Sequence, residues 1–232
     1  MQPNECMDET HTVDTLDIFK TGKKSRKSKN SIIPNDLDSI RSTLFGKFYE
    51  GIIAKWLQEK EKYTHKKGKP CAYWNEILEL KSSDDFSIKL NKSLNDKKQR
   101  NKHTNSDGLF EKNGKLYLWE AKHWAKWDEG KAIQTQVKDL LSGSPWILAK
   151  KVKHCGKPIA IDGILFSWWQ KFEGYDMAEK EIERIINLPF KFYFTSEIIK
   201  DCRREKYDWY IKLVNEQKEN IDEFFKELLG EK

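Results

Sequence analysis

The chain has 232 residues, enough for one domain with a sizeable core and too few for two large ones. Hydrophobic residues make up only 38%, but aromatics reach 12% with nine tryptophans, a load that a disordered chain would not carry. The formal charge of +6 permits a polyanionic partner, and no apolar run nears the roughly 18 residues of a membrane span.

Residues 1–34 predict a solvated tail. Residues 1–19 carry five acids and no base, and residues 20–29 carry six bases and no acid. Such blocks bury no apolar surface. The basic block suits a nucleic-acid-touching arm, a nuclear targeting signal in a eukaryote, or a passive tail. The polar N-terminus lacks the apolar centre of a signal peptide, so a cytoplasmic chain with no membrane partner is expected.

Residues 35–232 are expected to form a single domain. From Pro34, apolar residues at Leu37, Ile40, Leu44, Phe48, Ile52, Ile53, Trp56 and Leu57 recur in steps of three and four, which predicts a helix. Ala72–Leu80 is expected to be helical, and a basic stretch follows over 89–102. Next comes Asn113-Gly114 between two apolar runs, the strongest short-range signal of a β-hairpin. An amphipathic helix is predicted over 129–142, around Ile133, Val137, Leu140 and Leu141. Strands are expected at Ile159–Trp169, apolar enough to be covered on both faces, and at Phe190–Thr195. A helix over Tyr207–Leu229 closes the chain. The order implies an α/β fold, a central mixed sheet flanked by helices, in which the helix before Ile159 joins two parallel strands.

The four cysteines (Cys6, Cys71, Cys155, Cys202) and five histidines (His11, His65, His103, His123, His154) have no zinc-ligand spacing and no disulfide pattern. The chemistry lies in the acids of the hairpin. A two-residue turn at Asn113–Gly114 pairs Lys112 with Lys115 and, counting outward, Asp107 with Glu120. Lys122, two residues beyond Glu120, points to the same face. Opposed β-carbons lie about 4.5–5.5 Å apart, where like charges are destabilising. A divalent cation between the carboxylates offsets the repulsion, and hard oxygen donors favour Mg²⁺ or Mn²⁺. Acid-x-Lys triplets are common in this charged chain. Only Glu120-Ala121-Lys122 ends an apolar strand with a second acid, Asp107, across a tight turn. The bland alternative is a solvated strand end with Lys122 bridging two exposed acids.

Ser106-Asp107, the hairpin, Glu120-Ala121-Lys122, then an amphipathic helix and an apolar strand together resemble the PD-(D/E)xK, or restriction-endonuclease-like, nucleases. Ser106 stands where the family name has proline. The resemblance implies a restriction-endonuclease-like core and a Mg²⁺-dependent DNA endonuclease, most simply a restriction or defence enzyme. A structure-specific repair or junction nuclease is an alternative, and so is a non-catalytic nucleic-acid-binding module of the same fold. It implies that Asp107, Glu120 and the Ala121 carbonyl hold Mg²⁺, with Mn²⁺ able to substitute. Lys122 would orient the attacking water and stabilise charge on the phosphate. Glu50 resembles the acid on the family's first helix and would reach the metal through water, or instead pair with Lys47 or Lys55. Gln134 or Gln136 would join from the crossover helix. The partners implied are DNA and a second copy of the chain, since a two-fold dimer cuts both strands. Trp124 and Trp127, interleaved with lysines, either stack on bases or pack their loop, and the basic stretches 89–102 and 150–157 are candidates for phosphate contacts.

Overall fold

The computed structural model describes residues 34–99, 103–122, 127–128, 130–149 and 151–229, with side chains from Phe45 to Glu223 and at Lys226. The expected tail up to residue 33 lies outside these residues, as do Trp124 and the basic residues Arg100, Lys102 and Lys150. Residues 44–232 group into one unit of the fold and 1–43 into another. No described helix is long and apolar enough to cross a membrane.

The predicted hairpin is the centre of the fold. Asn113 and Gly114 both take positive φ (54° and 76°), the geometry of a two-residue turn matched to strand twist. They join β4 (Gly108–Lys112) to β5 (Lys115–Lys122), in the predicted register from Lys112–Lys115 out to Gly108–Trp119. β1 (Thr64–Lys66) adds to β4 antiparallel. On the other side, β8 (Gly163–Trp168) pairs with β5 in parallel, and β9 (Phe190–Phe194) pairs with β8 in parallel. The result is a mixed five-stranded sheet in the order β1-β4-β5-β8-β9. The crossover from β5 to β8 runs through the helix α3 (Ile133–Gly143), within the predicted 129–142 segment but for its last residue.

Helices cover both faces, because strand residues alternate and both sets are apolar. One face sets Leu118, Ile164, Phe166 and Phe192 against α3, α2 (Asp85–Lys98) and α4 (Tyr175–Ile186). The other sets Phe110, Trp119, Leu165 and Tyr193 against residues 48–57 of α1 (Pro34–Glu59), and against α5 (Thr195–Glu205) and α6 (Asp208–Leu229). All six residues of β8 are buried, as its unbroken apolar run requires.

Several expectations are corrected. Ala72–Leu80 is not an α-helix: β2 (Cys71–Tyr73) is followed by a single 3-10 turn at Trp74–Glu76, and Ile77 bridges to Ala149. β2 is instead the second strand of a small antiparallel sheet, in the order β3-β2-β6-β7. β3 (His103–Asn105), β6 (Val152–His154) and β7 (Lys157–Ile159) complete it. Much of the basic stretch 89–102 is helix α2, capped by Asp84, whose carboxylate accepts the Ser87 N–H at 2.8 Å. It buries Leu90 and Leu94. Helices α4 and α5 were not among the predicted elements.

Candidate functional site

The extrapolated Asp107–Glu120 pairing fails by one residue, and the failure shapes the site. β4 begins at Gly108, paired with Trp119, yet the Asp107 N–H also donates to the Trp119 carbonyl at 3.0 Å. Two residues facing one is how a β-bulge is built, and bulges re-aim side chains. The cause lies just upstream. β3 belongs to the small sheet, and the Ser106 N–H donates to the Pro70 carbonyl at 3.2 Å. The chain therefore changes sheets at Ser106–Asp107. Gly108 admits this turn because a Cβ there would come within 3.1 Å of the Trp119 ring and 3.2 Å of His65.

The bulge aims the Asp107 carboxylate at the end of β5. Its Oδ2 accepts the Ala121 N–H at 3.0 Å. In an extended strand a residue's N–H and C=O point to the same edge, so the Ala121 carbonyl also faces the Asp107 side. Lys69 lies 3.5 Å from the other carboxylate oxygen, and the Asp107 side chain is 22% exposed.

Glu120 is held differently. It is only 4% exposed, which removes the alternative of a solvated strand end. Its face of β5 meets the turn after α3, where Trp146 Nε1 donates to Oε2 at 3.1 Å and Ser144 Oγ donates to Oε1 at 3.4 Å. Lys122 forms an ion pair with Oε1. Burial, and then the charge of Asp107, pushes the Glu120 carboxyl up to about 7, against the pull of Lys122 and Trp146. Glu50 on α1 feels the same neighbourhood. Burial and then Asp107 raise its pKa, while Lys69, Lys47 and Lys122 lower it. Lys55 pairs instead with Glu59 at 2.9 Å, which removes one alternative partner for Glu50. Lys97 is also near, since burial and then Lys122 lower its pKa.

The glutamines separate. Gln136 is buried, and its amide pins the loop before α3, accepting the Asp128 N–H at 2.6 Å and donating to the Lys131 carbonyl at 3.3 Å. It lines a pocket of about 230 Å³ with Lys122, Ser144, Phe166 and Trp168. Gln134 lines another depression, with Asp85, Lys138 and Arg184, and does not join the acids. Trp127 stacks on Phe172 at 3.8 Å and packs its loop rather than splaying outward. Trp119 turns to the opposite face, where its Nε1 donates to Ser167 Oγ at 2.8 Å. Sequence reasoning missed Lys69, Ser144 and Trp146. The last two sit in Ser144-Pro145-Trp146, directly after the crossover helix, but only the tertiary fold aims them at Glu120.

The donor set fits a hard divalent cation of modest ligand demand. Among the described residues, no three His, Cys, Asp or Glu side chains converge as a ready-made cage. Mg²⁺ needs no such cage, because it is commonly held by one or two carboxylates with water and substrate phosphate completing the shell. A buried carboxyl, Glu120, whose proton affinity is raised by burial and by the charge of Asp107, beside a strand carbonyl, matches that demand. Neither a family model, nor a curated protein, nor a solved structure matches the chain.

Proposed function

We propose that the chain is a Mg²⁺-dependent endonuclease that hydrolyses DNA phosphodiesters, with a restriction-endonuclease-like core. One observation carries the reading: a buried carboxylate, Glu120, is coupled electrostatically to a second, Asp107, at the end of one strand, and Lys122 is ion-paired to the first. A polar strand end with no chemistry to perform has no reason to bury an acid whose pKa rises toward neutrality.

Asp107, Glu120 and the Ala121 carbonyl would hold the cation, which supplies a water of lowered pKa and charge neutralisation at the phosphate. The protein's own groups do the rest. Trp146 and Ser144 fix the Glu120 oxygens, so the acid presents one orientation. The Asp107 hydrogen bond to Ala121 sets the spacing between the two acids. Lys122 provides an ammonium beside Glu120, positioned to stabilise charge that develops on the phosphate oxygens. Glu50, half-buried and coupled to Asp107, is a third acid able to act through water. Gln136 serves to fasten the loop beside Lys122, which leaves Gln134 without a role here.

The test is incubation of supercoiled plasmid with protein and Mg²⁺, with EDTA as control. Nicked and linear product only with Mg²⁺, with end-mapping on DNA and RNA substrates, supports the proposal. No product on any nucleic acid across Mg²⁺ and Mn²⁺ concentrations overturns it in favour of a binding module.

A further inference from the structure

The small sheet has no acidic residue in any of its four strands. Its register sorts the side chains. Tyr73 pairs with His103, Cys71 with Asn105 and with Lys153, and Lys153 with Pro158. Directly paired residues share a face, as do residues two apart along a strand. Tyr73, His103, Asn105 and Lys153 therefore lie on one face, while Ala72 and Val152, one step off, turn the other way and are buried. The first face is open: Tyr73 is 42% exposed, and His103 and Asn105 are exposed beside it. The Lys153 ammonium sits 4.8 Å over the Tyr73 ring, whose centroid is 6.3 Å from that of His103.

This face is joined to the candidate site at two points. β3 runs through Ser106 directly into Asp107, and Lys69, just before β2, lies 3.5 Å from the Asp107 carboxylate. The Ser106–Pro70 hydrogen bond ties the two connections together.

We infer that this face docks the sugar–phosphate backbone of duplex DNA beside the cleaved phosphate, an inference that rests on the nuclease reading. Lysine, tyrosine and asparagine side chains are those that contact phosphate and sugar. The strands bring no carboxylate to repel a polyanion. A protein partner would need an apolar centre, and the face offers a single large exposed ring. The four residue-to-residue steps from His103 to Asp107 span at most about 14 Å. With one charge per roughly 3.4 Å of each strand, the face meets phosphates within about four nucleotides of the site.

Fluorescence anisotropy of a labelled duplex in EDTA isolates binding from cleavage. Tyr73→Ala and Lys153→Ala are each expected to weaken binding about three- to tenfold, with Lys153→Ala flattening the log–log salt slope by about 0.9. Lys212→Ala, on α6, is expected to bind as wild type. Circular dichroism and thermal melts verify folding, and Tyr73→Phe and Lys153→Gln serve if either alanine variant fails to fold. Variants that bind and cut as wild type overturn the docking surface and leave the nuclease reading intact. Wild type that binds duplex through these residues but never cuts with Mg²⁺ overturns the nuclease reading and leaves the surface standing. Tighter binding of a duplex RNA competitor overturns the assignment to DNA.

Discussion

Asp107 Oδ2 accepts the Ala121 N–H at 3.0 Å, so a side chain completes a ladder that the main chain of β4 leaves one residue earlier. One carboxylate thereby finishes the end of the β4–β5 ladder and raises the proton affinity of both Glu120 and Glu50. Asp107→Ala loses a hydrogen bond worth a net of about 1 kcal/mol. It also relieves like-charge repulsion of similar size. Urea melts in metal-free buffer are expected to place the variant within about 1 kcal/mol of wild type, with Mg²⁺-dependent cleavage abolished. Loss of several kcal/mol would make Asp107 a structural residue first.

The pH dependence follows from Glu120. Its pKa in the folded chain is raised from 4.5 to about 7, so between those values the folded state binds more protons than the unfolded one. Stability contributed by this group is full below the unfolded value and declines as pH rises through the folded value. The loss is on the order of 3 kcal/mol as an upper bound. Other shifted groups add their own slopes, so the test is a difference. Melts at pH 5 and pH 8 without metal should show wild type losing more stability than Glu120→Gln. Equal losses would contradict the raised pKa.

Trp146 is a positioning residue. Trp146→Phe keeps a ring but removes the N–H that donates to Glu120 Oε2, so the carboxyl should become harder to ionise. The Mg²⁺ concentration for half-maximal cleavage at pH 7 is expected to rise and to return toward the wild-type value at pH 8.5. A purely structural role would give a deficit that pH does not rescue.

Much of this site was legible in the sequence, for reasons that separate local from long-range physics. Asn113-Gly114 dictates its own turn, and the turn dictates register as far as Gly108. The apolar run of β8 and the spacing of Ile133, Val137, Leu140 and Leu141 in α3 likewise report on their own environment. The bulge at Asp107 was not legible, because it arises from β3 joining another sheet through Pro70. Three-residue strands such as Cys71–Tyr73 are too short to carry a period, and the apolar residues of 72–80 mimic a helix. The burial of Glu120 is also invisible in Glu120-Ala121-Lys122, since it depends on Trp146, 26 residues away.

The most direct measurement is single-turnover cleavage of an end-labelled duplex at saturating enzyme and Mg²⁺, with wild type, Glu120→Gln and Lys122→Met side by side. Lys122→Met keeps much of the side-chain bulk and removes the charge. It is expected to bind duplex nearly as wild type and to cut about 10²–10³-fold more slowly, the typical cost of one lost transition-state stabiliser. Glu120→Gln is expected to yield no product. Product from Glu120→Gln, or cutting by Lys122→Met within a few-fold of wild type, would contradict a hydrolytic site built from these residues.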